Sequence, residues 1–197
     1  MTTASTRLLG LAGILGGAVL LAAFVIEIPP ALNDARLVMF SLGAIAVVVG
    51  LNQRELPTSR TLLRVASIAA VLANAWHLSM VVLSIGRESP FAGDFGLVSF
   101  YAALAMWLAD AAFGATAIRS GVASRWGSLA LTIGSVLAIA GMDRLGLTSP
   151  TNPTTFGPVA LTGVALNGLG WILLGLDLAS GGRLVVPSVR LRGLSRA

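Results

Sequence analysis

One carboxyl group is the first candidate for chemistry, because it lies in the middle of a long apolar stretch. Asp110 is flanked by apolar residues from Phe95 to Ile118. A carboxylate at the centre of a bilayer costs on the order of 2.5–3.5 kcal/mol, so such a group faces a bundle interior or water, or is protonated. At helical spacing from it, Trp107 offers a large ring and Gly114 leaves room for a close partner. Two interpretations stay open, an acid that carries a proton or orients a ligand, and an acid that ties helices together.

Polar residues share one face of the apolar stretch before it. Ser67, Asn74, His77 and Ser84 are spaced by 7, 3 and 7 residues, which places them on one side of a helix. At 1.5 Å per residue, Asn74 lies roughly 18 Å and Asp110 roughly 20 Å below the loop that joins the two stretches. We therefore expect Asn74 and Asp110 to meet at one level, with His77 one turn nearer the loop.

His77 is the single histidine, and the chain has no cysteine. The favoured interpretation of His77 is an interhelical hydrogen bond. Ligation of a chlorophyll or a haem, with a second ligand from elsewhere, stays open as the alternative. Sites built on several His or Cys ligands from this chain are excluded. The sequence predicts no metal and no cofactor.

The last two apolar stretches also carry polar groups near mid-depth. Asn167 lies on one side of the last stretch with Trp171, and Ser128, Thr132 and Ser135 share a face of the stretch before it. Such groups commonly join helices in membranes, at about 0.6–2 kcal/mol each. Together they predict a polar interior at mid-depth. The candidate ligand-binding residues are Asp110, Asn74, His77, Asn167, Trp107 and Trp171, and no catalytic residue is assigned.

Composition shows which elements must position these residues. Of the 197 residues 56% are hydrophobic and 11% are charged, whereas a soluble domain has about 25% charged residues. The apolar residues form long runs typical of membrane spans. The sequence predicts an all-α, polytopic membrane bundle of about six transmembrane helices in one domain, residues 1–180, before a basic tail, residues 181–197. The predicted spans are residues 8–26, 35–53, 61–86, 95–118, 126–142 and 156–178.

Arginine placement predicts the orientation. All thirteen basic residues are Arg; ten fall on the segments that would share one side with the termini and three on the other. The excess of arginine marks the cytoplasmic side, so both termini are predicted to be cytoplasmic in the inner membrane of a bacterial cell. The first apolar run is 19 residues long, longer than the apolar core of about 7–15 residues in a signal peptide, and is predicted to stay attached. Arginines at span ends indicate contact with membrane lipids rather than nucleic acid.

Two sequence patterns bear on how the helices assemble. At an offset of 65, the segments that begin at Arg54 and Arg119 share eight identities over 22 positions. This suggests a bundle of repeated helical hairpins, although low-complexity apolar sequence often matches itself. The first stretch contains Gly13-x-x-x-Gly17, a small-residue face suited to close helix packing.

Three functions remain open, in order of preference. The first is binding or transport of a small molecule through a polar mid-membrane cavity, for which six spans favour a homo-oligomer. The second is a non-catalytic subunit or scaffold of a larger membrane complex, with the first span as its docking face. The third is an intramembrane enzyme acting on a lipid or isoprenoid, with Asp110 as general acid or base and His77 as its assistant. The sequence has no phosphate-binding loop, GxSxG or HExxH motif, so enzymatic activity is undecided and the absence of activity is favoured.

Overall fold

A computed structural model describes residues 3–22, 30–53, 61–85, 93–141 and 157–181, and these residues form six helices. Within these ranges there is no strand, and the prediction of an all-helical membrane bundle is confirmed. Five helices are long and apolar enough to cross a bilayer, and the fifth in chain order is a shorter apolar helix. The helices are α1 Thr3–Ala22, α2 Pro30–Asn52, α3 Thr61–Ser84, α4 Gly93–Ser120, α5 Arg125–Gly141 and α6 Pro158–Ala179.

The second helix begins earlier than its apolar run. The sequence places the second span at residues 35–53, but α2 begins at Pro30 and has 23 residues. A proline is tolerated at the first helical position, because its missing N–H would have no intrahelical acceptor there. At 1.5 Å per residue α2 is about 35 Å long, enough to cross a bilayer.

Several predicted features fall outside the described residues. They are the predicted span ends at residues 23–26, 86, 142 and 156, the start of the repeated segment at Arg54, and the basic tail beyond Gly181.

A tight turn fixes the pairing of α4 with α5. Gly121 has a φ of +62°, a conformation that L-residues with a side chain rarely adopt, and it ends α4. Ser124 then caps α5, since its Oγ accepts a hydrogen bond from the backbone N–H of Gly127 at 3.4 Å. The short connection makes α4 and α5 antiparallel neighbours.

Helices α2 to α6 close a ring in chain order. Each packs against the next, and α6 returns to contact α2. The first helix packs against both α2 and α6, and Leu8, Leu11 and Leu15 lie on its exposed side. Helices that follow one another in the chain run antiparallel, so one end of the bundle collects the starts of α1, α3 and α5 and the ends of α2, α4 and α6. We call it the Arg-rich end after its described arginines, Arg7, Arg64, Arg119 and Arg125.

Glycines bring the backbones of α1, α5 and α6 into contact. A Cβ at Gly134 of α5 would overlap the backbone N–H of Asn167 and lie 2.8 Å from the carbonyl oxygen of Gly163. Gly13 and Gly17 of α1 likewise pack against other helices of the same chain, at Val47 of α2 and at the backbone of α6. The small-residue face of the first span is therefore buried by intrachain packing and is not free to dock a partner.

Candidate functional site

Four polar side chains from four helices meet inside the ring. Asn74 of α3, Asp110 of α4, Ser135 of α5 and Asn167 of α6 each have an exposed fraction of 0%. All four lie about 15–20 Å along their helices from the Arg-rich end, at 1.5 Å per residue. We call this set the polar layer. The layer contains three of the six candidate residues, Asn74, Asp110 and Asn167. The sequence predicts that Asn74 and Asp110 lie at one level, because both are at similar distances from the loop between their helices.

Both oxygens of the Asp110 carboxyl accept hydrogen bonds from amides. Asn74 Nδ2 donates to Asp110 Oδ1 at 2.9 Å, and its other hydrogen goes to the carbonyl oxygen of Ala70 at 2.9 Å. Asn167 Nδ2 donates to Ser135 Oγ at 2.9 Å and approaches Asp110 Oδ2 at 3.5 Å. The carboxyl is thus held firmly on its α3 side and loosely on its α6 side.

The layer has more hydrogen-bonding capacity than it uses. Among the described residues the partners of Asp110 are amides, and no basic side chain neutralises it. The Oδ1 atoms of Asn74 and Asn167 are buried without a hydrogen-bond donor. The indole N–H of Trp171 is directed toward the same carboxyl, yet it reaches no acceptor with hydrogen-bond geometry. Unpaired buried polar atoms are unusual in native proteins and call for an explanation.

Aromatic pairs that cross the ring lie on both sides of the polar layer. Toward the Arg-rich end, Phe113 of α4 stacks on Trp171 of α6, with ring centroids 6.1 Å apart and an interplanar angle of 12°. Toward the opposite end, Phe40 of α2 packs against Trp107 of α4 at 6.5 Å. All four rings are buried. We call these the inner pair and the outer pair, and Asp110 lies between them on α4.

The polar layer is filled rather than hollow. A side chain that bordered a void of water size would retain some accessible surface, whereas all four members of the layer retain none. The sequence predicts a polar cavity here, and the structure instead shows side chains that occupy the space themselves. Asp110 nevertheless faces the interior of the protein rather than lipid, as the cost of a membrane-exposed carboxylate requires.

A recess lies beyond the inner pair, toward the Arg-rich end. It encloses about 190 Å³ of space between atoms, part of it open to the outside, and it narrows too much to hold a water molecule. Its wall includes Phe113 and the hydroxyl-bearing Ser67, whose Oγ is buried without a partner. Its other lining residues are Leu51, Asn52, Leu63, Ala117, Val122 and Ala123.

His77 does not join the polar layer. Its Nδ1 shares a hydrogen bond with Ser41 Oγ of α2 at 3.1 Å, so α3 presents Asn74 to α4 and His77 to α2. Trp107, another candidate, contacts Phe40 in the outer pair. The partner role of Ser41 was missed, although a lone serine in an apolar stretch is a usable signal.

Two further residues were not among the candidates. Ser135 was noticed only as part of a polar face, and it holds the Asn167 amide. Phe113, one helical turn from Asp110, forms the inner pair with Trp171. An aromatic residue in an apolar stretch gives no signal of this role, since it is most often core.

Helix packing at Gly114 brings α5 close to the layer. A Cβ there would overlap Thr132 Oγ1 and lie 2.8 Å from the carbonyl oxygen of Ser128. The room expected beside Asp110 is therefore used by the backbone of α5. Ser128 Oγ is buried there without a hydrogen-bond partner.

The arrangement can hold a group that donates hydrogen bonds or carries positive charge, because acceptor oxygens predominate. The described residues contain no cluster of three or more His, Cys, Asp or Glu side chains that could hold a metal. No protein-family model, curated protein or solved structure matches the chain.

Proposed function

We propose that this multi-pass membrane protein binds and transports a small molecule at the polar layer, and that the structure represents a closed state of the site. The observation that carries the proposal is the Asp110 carboxyl, which is fully buried at mid-depth between two amides and has no cation as partner in the part of the chain that the structure describes. Polar groups at the midplane of a helical bundle are where transporters bind their substrates. The same proposal includes the location and orientation of the protein, in the inner membrane with both termini on the cytoplasmic side. This orientation rests on the arginine distribution.

The amide oxygens define the chemistry of the ligand. In each asparagine side chain the amide nitrogen and oxygen are bonded to the same carbon. The unpaired Oδ1 atoms of Asn74 and Asn167 therefore lie close to the Nδ2 atoms that approach Asp110. Together with the carboxyl they favour a small neutral or cationic solute that donates several hydrogen bonds. A negatively charged solute would meet only acceptors and one unpaired indole N–H.

Opening of the closed site requires one helix to move, and α3 is the best candidate. The other five helices contain glycines that place backbone against backbone at their interfaces, whereas α3 has no glycine and contacts α2 and α4 through side chains. Outward movement of α3 would break the Asn74–Asp110 and Ser41–His77 hydrogen bonds and leave the glycine-packed helices in place. Such a two-state element is what alternating access needs.

Binding is tested by thermal unfolding of purified protein in detergent, with ammonium, methylammonium, guanidinium and urea as probes. A ligand at 100 times its Kd stabilises the folded state by about 2.7 kcal/mol. We expect at least one probe to raise the unfolding temperature of the wild type and of Asp94→Asn, a matched change at an exposed residue of α4. Asp110→Asn should lose the effect. Failure of every probe to shift the wild type would contradict the proposal.

The second candidate function, a structural subunit of a membrane complex, is favoured by the filled interior. In that case the amides and the carboxyl of the polar layer serve only as interhelical hydrogen bonds that stabilise the ring. The same experiment separates the two, because a structural layer gives an Asp110→Asn protein with altered stability and no response to any probe. Enzymatic action with His77 assisting Asp110 has less support, since His77 is directed to Ser41.

A further inference from the structure

We infer that Asp110 exchanges a proton with the Arg-rich end of the bundle, through the recess and past Phe113. This rests on the proposed function, since it names a species carried at the same site and the side from which it enters. The step is a simple transfer: when Phe113 moves aside and water enters the recess, the neutral carboxyl gives its proton to that water and becomes a carboxylate, and the reverse step restores it.

The Asp110 carboxyl has no room beside it for a solute. Asp110 has no accessible surface and no cation partner among the described residues. A proton is the one cation that neutralises a carboxylate without needing volume. Buried acids in membrane bundles commonly serve as proton-carrying groups for this reason. Asn74 and Asn167 can serve both forms of the group, because their amides donate to the carboxylate and their free Oδ1 atoms can accept from the neutral acid.

Phe113 and the recess lie between Asp110 and the Arg-rich end. Phe113 lies one helical turn from Asp110, stacks on Trp171 and forms part of the recess wall. Ser67, on the same wall, has a buried hydroxyl without a partner. A hydroxyl both donates and accepts, so Ser67, two helical turns from Asn74, can bind water that enters the recess and relay a proton along that water. Phe113 is then the barrier in this path, as apolar constrictions are in other membrane conduits.

The charged and titratable groups on the surrounding helices do not contact the Asp110 carboxyl. On α3, His77 is bound to Ser41 on the side of the outer pair, and Arg64 is exposed near the start of the helix. On α6, Asp177 is buried near the Arg-rich end. Arg125 opens α5 and Arg119 lies in the last turn of α4. Proton exchange at Asp110 is therefore assigned to its own carboxyl and not to a shared pair.

The test is infrared spectroscopy of the reconstituted protein. The carboxyl C=O band that is absent from Asp110→Asn and present in Asp94→Asn belongs to Asp110. We expect this band to disappear as pH is raised and to shift with a measurable rate on transfer to heavy water. Phe113→Leu should speed that exchange at least about tenfold, as a barrier lowered by about 1.4 kcal/mol would. Phe100→Leu, a matched change in the opposite half of α4, should leave the rate unchanged.

A second variant keeps the proposal testable if Phe113→Leu does not fold. Ser67→Ala removes the buried hydroxyl and should slow the exchange, while Ser79→Ala at an exposed site of the same helix should not. An Asp110 band that persists at every pH would overturn the proposal, and so would faster exchange in Phe40→Leu with no change in Phe113→Leu. A band that titrates in a protein that binds none of the solute probes would leave proton exchange standing and remove only the proposed solute function.

Discussion

The hydrogen bond between Asn74 and Asp110 can be measured by a double-mutant cycle with leucine. Asn74→Leu removes the 2.9 Å donor and leaves the buried carboxyl with the 3.5 Å approach of Asn167. Asp110→Leu removes the carboxyl and leaves the Asn74 amide with its bond to Ala70. Leucine is close in size to both side chains, so the double variant replaces a polar pair with an apolar pair of similar shape.

The expected energies follow from burial. A buried polar group left without its partner costs about 1–3 kcal/mol, and more when it is charged, whereas replacing both partners can be nearly neutral. We therefore expect Asn74→Leu to lower the free energy of unfolding by about 2–3 kcal/mol. Asp110→Leu leaves the Asn74 amide bonded to Ala70 and should cost about 1 kcal/mol. The double variant should also lie within about 1 kcal/mol of the wild type, so the coupling energy is about 2–3 kcal/mol. Hydrogen bonds in membrane proteins average about 0.6 kcal/mol, so this value would mark an unusually strong pair.

The assay is equilibrium unfolding in mixed micelles of increasing denaturing detergent. Trp107 and Trp171 are buried on either side of the polar layer, so tryptophan fluorescence reports its opening directly. Thr116→Val, a change on α4 at a residue bonded only to its own helix, provides the control for loss of a local hydroxyl. If the two leucine substitutions add within about 0.5 kcal/mol, the side chains do not interact and the geometry of the polar layer is wrong.

The remaining predictions concern packing, the unpaired indole and orientation. Gly134→Ala should lower the free energy of unfolding by about 1–3 kcal/mol, because its Cβ meets the backbone of α6. Gly157→Ala, which has open space around it and stands at the N-cap of α6, should cost less than about 1 kcal/mol in the same unfolding assay, because alanine is a poorer cap than glycine. Trp171→Phe keeps the stack on Phe113 but removes an N–H without an acceptor, so the free energy of unfolding should change by less than about 1 kcal/mol. Calorimetry with a cationic probe that stabilises the wild type should show unchanged binding, because such a probe has no acceptor for the N–H. A cysteine placed at position 90 should react with an impermeant maleimide on intact cells, and one at position 122 only after permeabilisation; the reverse pattern would overturn the orientation.

The fold and part of the site were accessible from the sequence because the bilayer restricts the choices. Long apolar runs must become helices, and a carboxylate within one must turn inward. Asn74 and Asp110 lie on consecutive stretches at similar depth from a short loop, so counting residues was enough to bring them together. The Asn74–Asp110 contact at 2.9 Å follows from that count and from the cost of exposing either group to lipid.

Other features depend on how each helix is rotated and how closely it packs, which depth does not fix. His77 and Asn74 share a broad face of α3, yet His77 bonds to Ser41 of α2 and Asn74 bonds to Asp110 of α4. The rotation of α3 between its two neighbours sets these partners. The expected cavity is filled because glycines let the backbone of α5 approach both α4 and α6. The second span starts earlier than its apolar run because Pro30 begins α2, a position where a proline's missing N–H would have no intrahelical acceptor.

The central claim is that Asp110 is held inside the ring by the amide of Asn74. Solid-state NMR of protein in lipid bilayers, with labelled aspartate carboxyl carbons and asparagine side-chain nitrogens, measures this contact directly. We predict strong dipolar recoupling between Asp110 and Asn74, weaker recoupling to Asn167, and loss of the first signal in Asn74→Leu. An Asp110 carboxyl that shows contact with lipid acyl chains and none with either amide would contradict the account.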